Sequence, residues 1–312
     1  MCANKLRYAV IGCGAIGGYY GGRLALAGAD VHFLFHSDYS EAVSRGLQVE
    51  SINGDFLLPH PQAYRDVAAM PPCDVVMVSL KTVMNDLLTQ LLPPLLKPST
   101  LVILIQNGWG MERDLSLLFP ELKIAGAMAF IASNKVGPAH VRHLDFGAIT
   151  IGSYCGEQEA LLLQVANDMS NAGIPVVLAP DLTTARWRKL VWNIPYNGLS
   201  VVLRSTTDQL MQHPDVCALI HDLMLEVIEA SRLFGATIPE SFADEMLEAT
   251  RKMRPYQPSM MLDYLYHRPM EVEYLCSRPV REACERGFLM RKTQMLEQLL
   301  LFNNLHNVAE KP

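Results

Sequence analysis

Residues 9–18 read Ala-Val-Ile-Gly-Cys-Gly-Ala-Ile-Gly-Gly, and the fold is decided there. An apolar run, Tyr8 to Ile11, stops at Gly12, and Gly14 and Gly17 complete a G-x-G-x-x-G spacing. A helix-like segment, Tyr19 to Ala27, follows at once, and a second apolar strand is read at Val31–Phe35. Gly12 permits a tight turn out of a strand, Gly14 lets the backbone approach a pyrophosphate, and Gly17 lets helix and strand pack closely. The free N–H groups and positive end of the helix then face the phosphates. A glycine-rich turn without a ligand would satisfy the glycines alone. Strand before, helix after and a second strand beyond favour a dinucleotide cradle made by Gly12, Cys13, Gly14, Ala15, Ile16 and Gly17.

The chain has 312 residues, half of them hydrophobic, which suffices for a large core and suggests two domains. The formal net charge is −6 and no basic block stands out, so nucleic acid is not an expected partner. Seven cysteines (Cys2, Cys13, Cys73, Cys155, Cys217, Cys276 and Cys284) make an odd number without a CxxC. A disulfide framework or zinc ribbon is a poor reading of them, no metal site is expected, and a reducing, cytoplasmic compartment fits. The first strand begins near Leu6, which leaves no room for a signal peptide. No apolar run approaches the ~18 residues of a membrane span.

The first half alternates strands and helices. Asp74–Leu80 and Leu101–Ile105 are continuous apolar runs, as in parallel strands buried on both faces. Helices are predicted near Val83–Leu92 and Met111–Leu118. Further strands are predicted at Ile124–Ile131, Ala139–His143, Ala148–Ile151 and Ile174–Leu178, with a helix over Glu157–Asn171 that Gly173 stops. This is the βαβ rhythm of a doubly wound α/β fold. After Pro180 helical periodicity dominates, over Ala185–Asn193, Val216–Phe234, Phe242–Lys252 and Lys292–Leu305. The expected division is a dinucleotide-binding domain over 1–180 and a helical substrate domain over 181–312.

Three further segments carry polar residues that need a reason. Lys189, Asn193 and Asn197 stand at i, i+4 and i+8, on one face of an otherwise apolar helix. They either line a cleft with a proton-donating amine and two amides, or form a polar patch tying this helix to the other domain. Pro195 is expected to kink the helix between them. Gln106-Asn-Gly-Trp-Gly110 follows a buried strand at its carboxyl end, where open α/β sheets hold ligands. Asn107 there would bond a nicotinamide ribose or a substrate, or simply make an Asn-Gly turn. Lys81, at the equivalent end of the Asp74–Leu80 strand, would by itself be a solvated lysine. Ser259 suits a helix N-cap, and Pro269 with Glu271 and Glu273 suits a helix start.

Together these segments resemble the ketopantoate reductase (2-dehydropantoate 2-reductase) family over essentially the whole chain. The family shows a glycine-rich start like Gly12–Gly17, a Lys after a strand like Leu80-Lys81, and an Asn-Gly-x-Gly like Asn107–Gly110. Its most specific signature resembles Trp187-Arg-Lys-Leu-x-x-Asn-x-x-x-Asn197, and Ser259 with Glu271 matches its closing Ser-Met-x-x-Asp and Glu. The resemblance implies a Rossmann domain, an all-helical C-terminal domain like that of 6-phosphogluconate dehydrogenase, and a site in the cleft between them. It implies NADP(H) as cofactor and a small 2-oxo acid as substrate. Lys189 would be the general acid that protonates the carbonyl oxygen while hydride reaches the adjacent carbon. Asn193, Asn197 and Ser259 would bind the substrate's hydroxyl and carboxylate, with Asn107 between substrate and cofactor. Glu271 would contact the cofactor or hold the lysine, and Lys81 and the Ala132 backbone would contact the cofactor. Three positions depart from the pattern: His36, expected to help read the 2′-phosphate of NADP(H), stands where the family has a strand-end Arg, Thr207 where it has an Asn, and Leu275-Cys276-Ser277 where it has Leu-Asn-Gly.

The function implied is NADPH-dependent reduction of 2-dehydropantoate to pantoate, as in pantothenate and coenzyme A biosynthesis. Another 2-oxo or 3-hydroxy acid oxidoreductase, or a non-catalytic NADP(H) sensor, would use the same scaffold. Retention of Lys189 with both asparagines favours catalysis over sensing. A homodimer is an assembly the sequence leaves open.

Overall fold

The computed structural model of the chain describes residues 5–309; Cys2 lies outside them. The backbone divides into two compact units. The first ends at Leu182 and leaves out Asn107–Gly110, which belongs with the helical remainder of the chain.

The first unit is built on one ten-stranded sheet. Its strands are β1 (Arg7–Ile11), β2 (Asp30–Leu34), β3 (Leu47–Ser51), β4 (Phe56–Leu58), β5 (Gln62–Tyr64), β6 (Val75–Val78), β7 (Leu101–Leu104), β8 (Lys123–Gly137), β9 (His140–Cys155) and β10 (Val176–Leu178). The order is β4-β3-β9-β8-β7-β6-β1-β2-β5, with β10 on β9. β1 pairs in parallel with β2 on one side and β6 on the other. The strand order therefore reverses at β1 and β6, which puts a ligand crevice beyond their carboxyl ends. β6 and β7 are buried along their whole length, the reason they read as unbroken apolar runs.

Two expectations change. The helix predicted over Val83–Leu92 is a 3₁₀ stretch, Thr82–Leu87, followed by one short turn, Leu88–Leu91. Val83, Met84 and Leu87 are exposed, so the apolar pattern there has no packed face to support a full helix. The segments predicted as Ala139–His143 and Ala148–Ile151 are not separate strands: from His140 onward both are parts of β9, paired antiparallel with β8 in a long hairpin whose turn holds Ala139. The break between them is absorbed by irregularity rather than a turn: Phe146 and Gly147 take positive φ, and the register shifts opposite, between Phe130 and Ile131. The helix Ala15–Leu26 packs against both strands of this hairpin.

The second unit is helical. Its core gathers Trp187, Leu190, Val191 and Ile194 from the helix Leu182–Leu203, Leu223, Val227 and Ile228 from Pro214–Arg232, and Leu296 and Leu300 from Arg291–Ala309. The long first helix does not stop at Pro195 but continues through it to Leu203. The shorter helices Ser241–Lys252, Ser259–Leu265 and Arg278–Glu285 complete this unit with Thr207–Met211. Among the described residues no helix is long and apolar enough to cross a membrane, and no cluster of metal-ligating side chains occurs.

Candidate active site

In the first unit the glycine segment leaves β1 and becomes the helix Ala15–Leu26 without a capping side chain or an acid in its first turn. Gly12 has φ +94°, and a Cβ there would stand 2.6 Å from the Leu80 backbone nitrogen. Only glycine fits that turn. Ser79, at the end of β6, fastens the turn by donating its hydroxyl to the Gly12 carbonyl at 2.7 Å. Sequence reading missed Ser79; its one signal was a small polar residue closing an apolar run. Gly14 differs from Gly12: its φ is −84°, and a Cβ there would meet nothing within 4 Å. Neither backbone nor packing requires glycine at 14, and the space beside it is open. Cys13 is buried, with its thiol toward the Val10 carbonyl, and burial pushes its ionisation well above the ordinary thiol range.

Lys81 caps the 3₁₀ stretch after β6 and is partly buried. Gln106, ending β7, donates to the Leu80 carbonyl and Asn85 Oδ1, both at 2.7 Å, and so locks the two strand ends together. Ala132 is buried at a bulge of β8, beside Ser133, whose hydroxyl donates to the Ala15 carbonyl at 3.3 Å. The hairpin thus lies against the glycine segment. His36 is exposed just beyond β2. Ser37 donates to Asp38 Oδ1 at 2.8 Å.

In the second unit, Lys189, Asn193 and Asn197 do share one helix face. Lys189 is half-buried, with Nζ 5.9 Å from the Trp192 ring centre, and burial pulls its ammonium down to about 8. Asn193 and Asn197 are 3% and 4% exposed, so their amides must be satisfied. Asn193 Nδ2 donates to Asn107 Oδ1 at 3.4 Å. Asn197 Oδ1 accepts from the Met260 N–H at 3.2 Å and the Ser259 hydroxyl at 3.4 Å. Ser259 is therefore not an N-cap; it is the first helical residue, after Pro258, and turns its hydroxyl to Asn197. Through its oxygen Asn197 ties together two helices of the same unit, Leu182–Leu203 and Ser259–Leu265, rather than tying its helix to the first unit.

Asn107 is placed by a backbone device. Glu273–Ser277 form a π-helical turn, in which the Arg278 N–H reaches the Glu273 carbonyl. The next bond of that pattern would run from residue 279 to Tyr274, but Pro279 has no N–H. The Tyr274 carbonyl instead accepts from the Trp109 N–H at 2.9 Å. Gly108, at φ +116°, lets the loop come this close, because a Cβ would stand 2.6 Å from that carbonyl oxygen. Such single π turns favour functional sites. Glu271 is buried immediately before this helix, and its carbonyl accepts from the Leu275 N–H. Thr207 is committed to structure: its hydroxyl accepts from the Tyr256 N–H at 3.2 Å and its own N–H donates to the Tyr256 carbonyl.

The chain matches the family model Ketopantoate reductase PanE/ApbA over residues 8–156 and its C-terminal counterpart over 181–303. It is 46% identical over 304 residues to a 2-dehydropantoate 2-reductase of Nostoc sp., covering 96% of this chain and 95% of that protein. The crystal structure of 2-dehydropantoate 2-reductase from Geobacter metallireducens superposes with TM-score 0.92 at 38% identity, covering 95% and 99% of the two chains. D-mandelate dehydrogenase, solved with NADH and anilino(oxo)acetate, shares the fold at TM-score 0.87 and 18% identity, covering 97% and 99%. Members of the family are pyridine-nucleotide-dependent oxidoreductases acting on small molecules. The chain belongs to the ketopantoate reductase family and is an oxidoreductase.

Proposed function

We propose that this chain reduces 2-dehydropantoate to pantoate with NADPH, Lys189 acting as general acid. The observation that carries the reading is the Lys189 ammonium, drawn down to about 8 on the same helix face as Asn193 and Asn197. The bound nicotinamide supplies the hydride. Reduction of a ketone places negative charge on its oxygen, and an ammonium that gives up a proton there lowers the barrier. A lysine of ordinary basicity holds its proton more tightly; a half-buried one releases it near neutral pH. Asn197 Nδ2 suits a carboxylate or hydroxyl oxygen of the substrate, the Ser259 oxygen, whose proton goes to Asn197, can accept from a substrate hydroxyl, and Asn193 is turned by Asn107. Glu271 acts beside them, on the cofactor or on the lysine. The dinucleotide is held by the glycine segment, where the space beside Gly14 and the uncapped helix start fit a pyrophosphate, with Lys81 and the Ala132 backbone as further contacts.

A second reading, reduction of a related 2-oxo acid, draws on Thr207. Its hydroxyl is bonded to the chain at Tyr256, so it offers no substrate amide at that position. NADPH oxidation with a panel of 2-oxo acids separates the two. Fastest turnover with 2-dehydropantoate supports the first reading; a clear preference for an acid without the 4-hydroxyl overturns it in favour of the second.

A further inference from the structure

At the end of β2 a dinucleotide fold chooses its cofactor. An acid there bonds the ribose diol of NAD, and a cation there takes the 2′-phosphate of NADP. Within the segment 35–38 the one acid is Asp38. Its side chain is 7% exposed and already saturated. Oδ1 accepts from Ser37 Oγ at 2.8 Å and from Lys135 Nζ at 2.7 Å; Oδ2 accepts from the Ala139 N–H at 3.0 Å and lies 2.6 Å from Lys135 Nζ. Burial alone would raise this carboxyl, but these hydrogen bonds outweigh it and hold it below its ordinary range. Asp38 therefore stays ionised and has no acceptor to offer a diol.

Lys135 is the opposite case. Its side chain is 38% exposed although its ammonium is fixed. It comes from the far end of the β8–β9 hairpin, and two contacts anchor that hairpin: Ser133 at the Ala15 carbonyl and Ala139 at Asp38. An ammonium has three donors. The carboxylate takes two, and one remains. Ser37 donates to the same Asp38 oxygen, and the exposed His36 directly precedes it in the chain.

We infer that Lys135, held in place by Asp38, binds the 2′-phosphate of NADP(H) and makes this chain prefer NADP(H) over NAD(H). The inference rests on the dinucleotide reading of the glycine segment. Asp38 acts as a positioning residue, and the cation that reads the phosphate comes from the hairpin rather than from β2.

The test is calorimetric titration of the full-length protein with NADPH and NADH. The variant is Lys135→Met combined with Asp38→Asn, so that no buried carboxylate is left unpaired. The NADPH Kd should rise by roughly 10- to 100-fold, the scale of a charged hydrogen bond, with the NADH Kd moving less than about threefold. Lys135→Arg, which keeps the charge, should retain the preference. An equal loss for both nucleotides, or none for NADPH, overturns the assignment. Independently of any variant's folding, adenosine 2′,5′-bisphosphate must displace NADPH from the wild-type protein better than AMP does; parity overturns the assignment. A wild-type protein that binds NADH in preference refutes this inference and leaves the dinucleotide reading standing. One that binds neither nucleotide refutes both.

Discussion

Burial of Lys189 should set the pH dependence of turnover. Its ammonium falls from the ordinary 10.5 to about 8 because water is stripped from the charged form. A shift of that size corresponds to roughly 3 kcal/mol against the charge. The acid must be protonated to work. With a value near 8, about nine-tenths of the enzyme is competent at about pH 7 and about one-tenth at about pH 9. Ketone reduction at saturating substrate and NADPH should therefore slow about tenfold across that interval. The reverse oxidation needs the neutral amine and should quicken over the same range. A lysine at the ordinary 10.5 would leave the reduction flat to about pH 9, while the oxidation would climb about tenfold per pH unit without levelling off below about pH 10. Lys189→Ala should cost about 10²–10⁴-fold in kcat and remove the pH limb. Stability moves the other way. The penalty on the folded state is present below about 8 and disappears as pH rises toward 10.5, because the unfolded chain binds the extra proton. Lys189→Met should thus fold at least as stably as the wild type at neutral pH while losing turnover. Following the loss of NADPH absorbance from pH 6 to 10, with thermal melts of both variants, provides the check. A flat profile through pH 9.5, or near-normal turnover in Lys189→Ala, would refute the reasoning.

Gly12 and Gly14 should separate cleanly. Gly14→Ala should melt within ~1 kcal/mol of wild type yet bind dinucleotide at least tenfold more weakly in titration, whereas Gly12→Ala, strained at φ +94° and against the Leu80 backbone, should lose folded protein. Normal nucleotide affinity in Gly14→Ala would remove the pyrophosphate from that turn. Asn197→Ala should lower kcat/KM for 2-dehydropantoate more than for 2-oxo acids lacking the 4-hydroxyl, since a site built to bond a hydroxyl discriminates strongly. Equal losses on both would confine Asn197 to its structural bonds with Ser259 and Met260.

Much of this protein is legible in its residues alone. Unbroken apolar runs over Asp74–Leu80 and Leu101–Ile105 read as strands covered on both faces, and the structure has strands there at Val75–Val78 and Leu101–Leu104. Gly12, Gly14 and Gly17 after such a strand mark the turn expected to hold a dinucleotide, and Lys189, Asn193 and Asn197 fall on one face because a helix repeats every 3.6 residues. Each of these is local: period and spacing are properties of a few neighbouring residues. What the tertiary structure decided is non-local. The apolar pattern separates Ala139–His143 from Ala148–Ile151, but paired against a bulged β8 both belong to one strand. The helix read over Ala185–Asn193 extends through Pro195 to Leu203, carried by a core drawn from helices far along the chain. Asn107–Gly110 follows a strand of the first unit but belongs to the second, because Pro279 denies Tyr274 its helical partner and the Trp109 N–H takes the place. Lys135 has no motif around it, and its pairing with Asp38 spans 97 positions. Local spacing cannot carry such information, since a hydrogen bond between distant residues exists only once the sheet and hairpin have brought their backbones together.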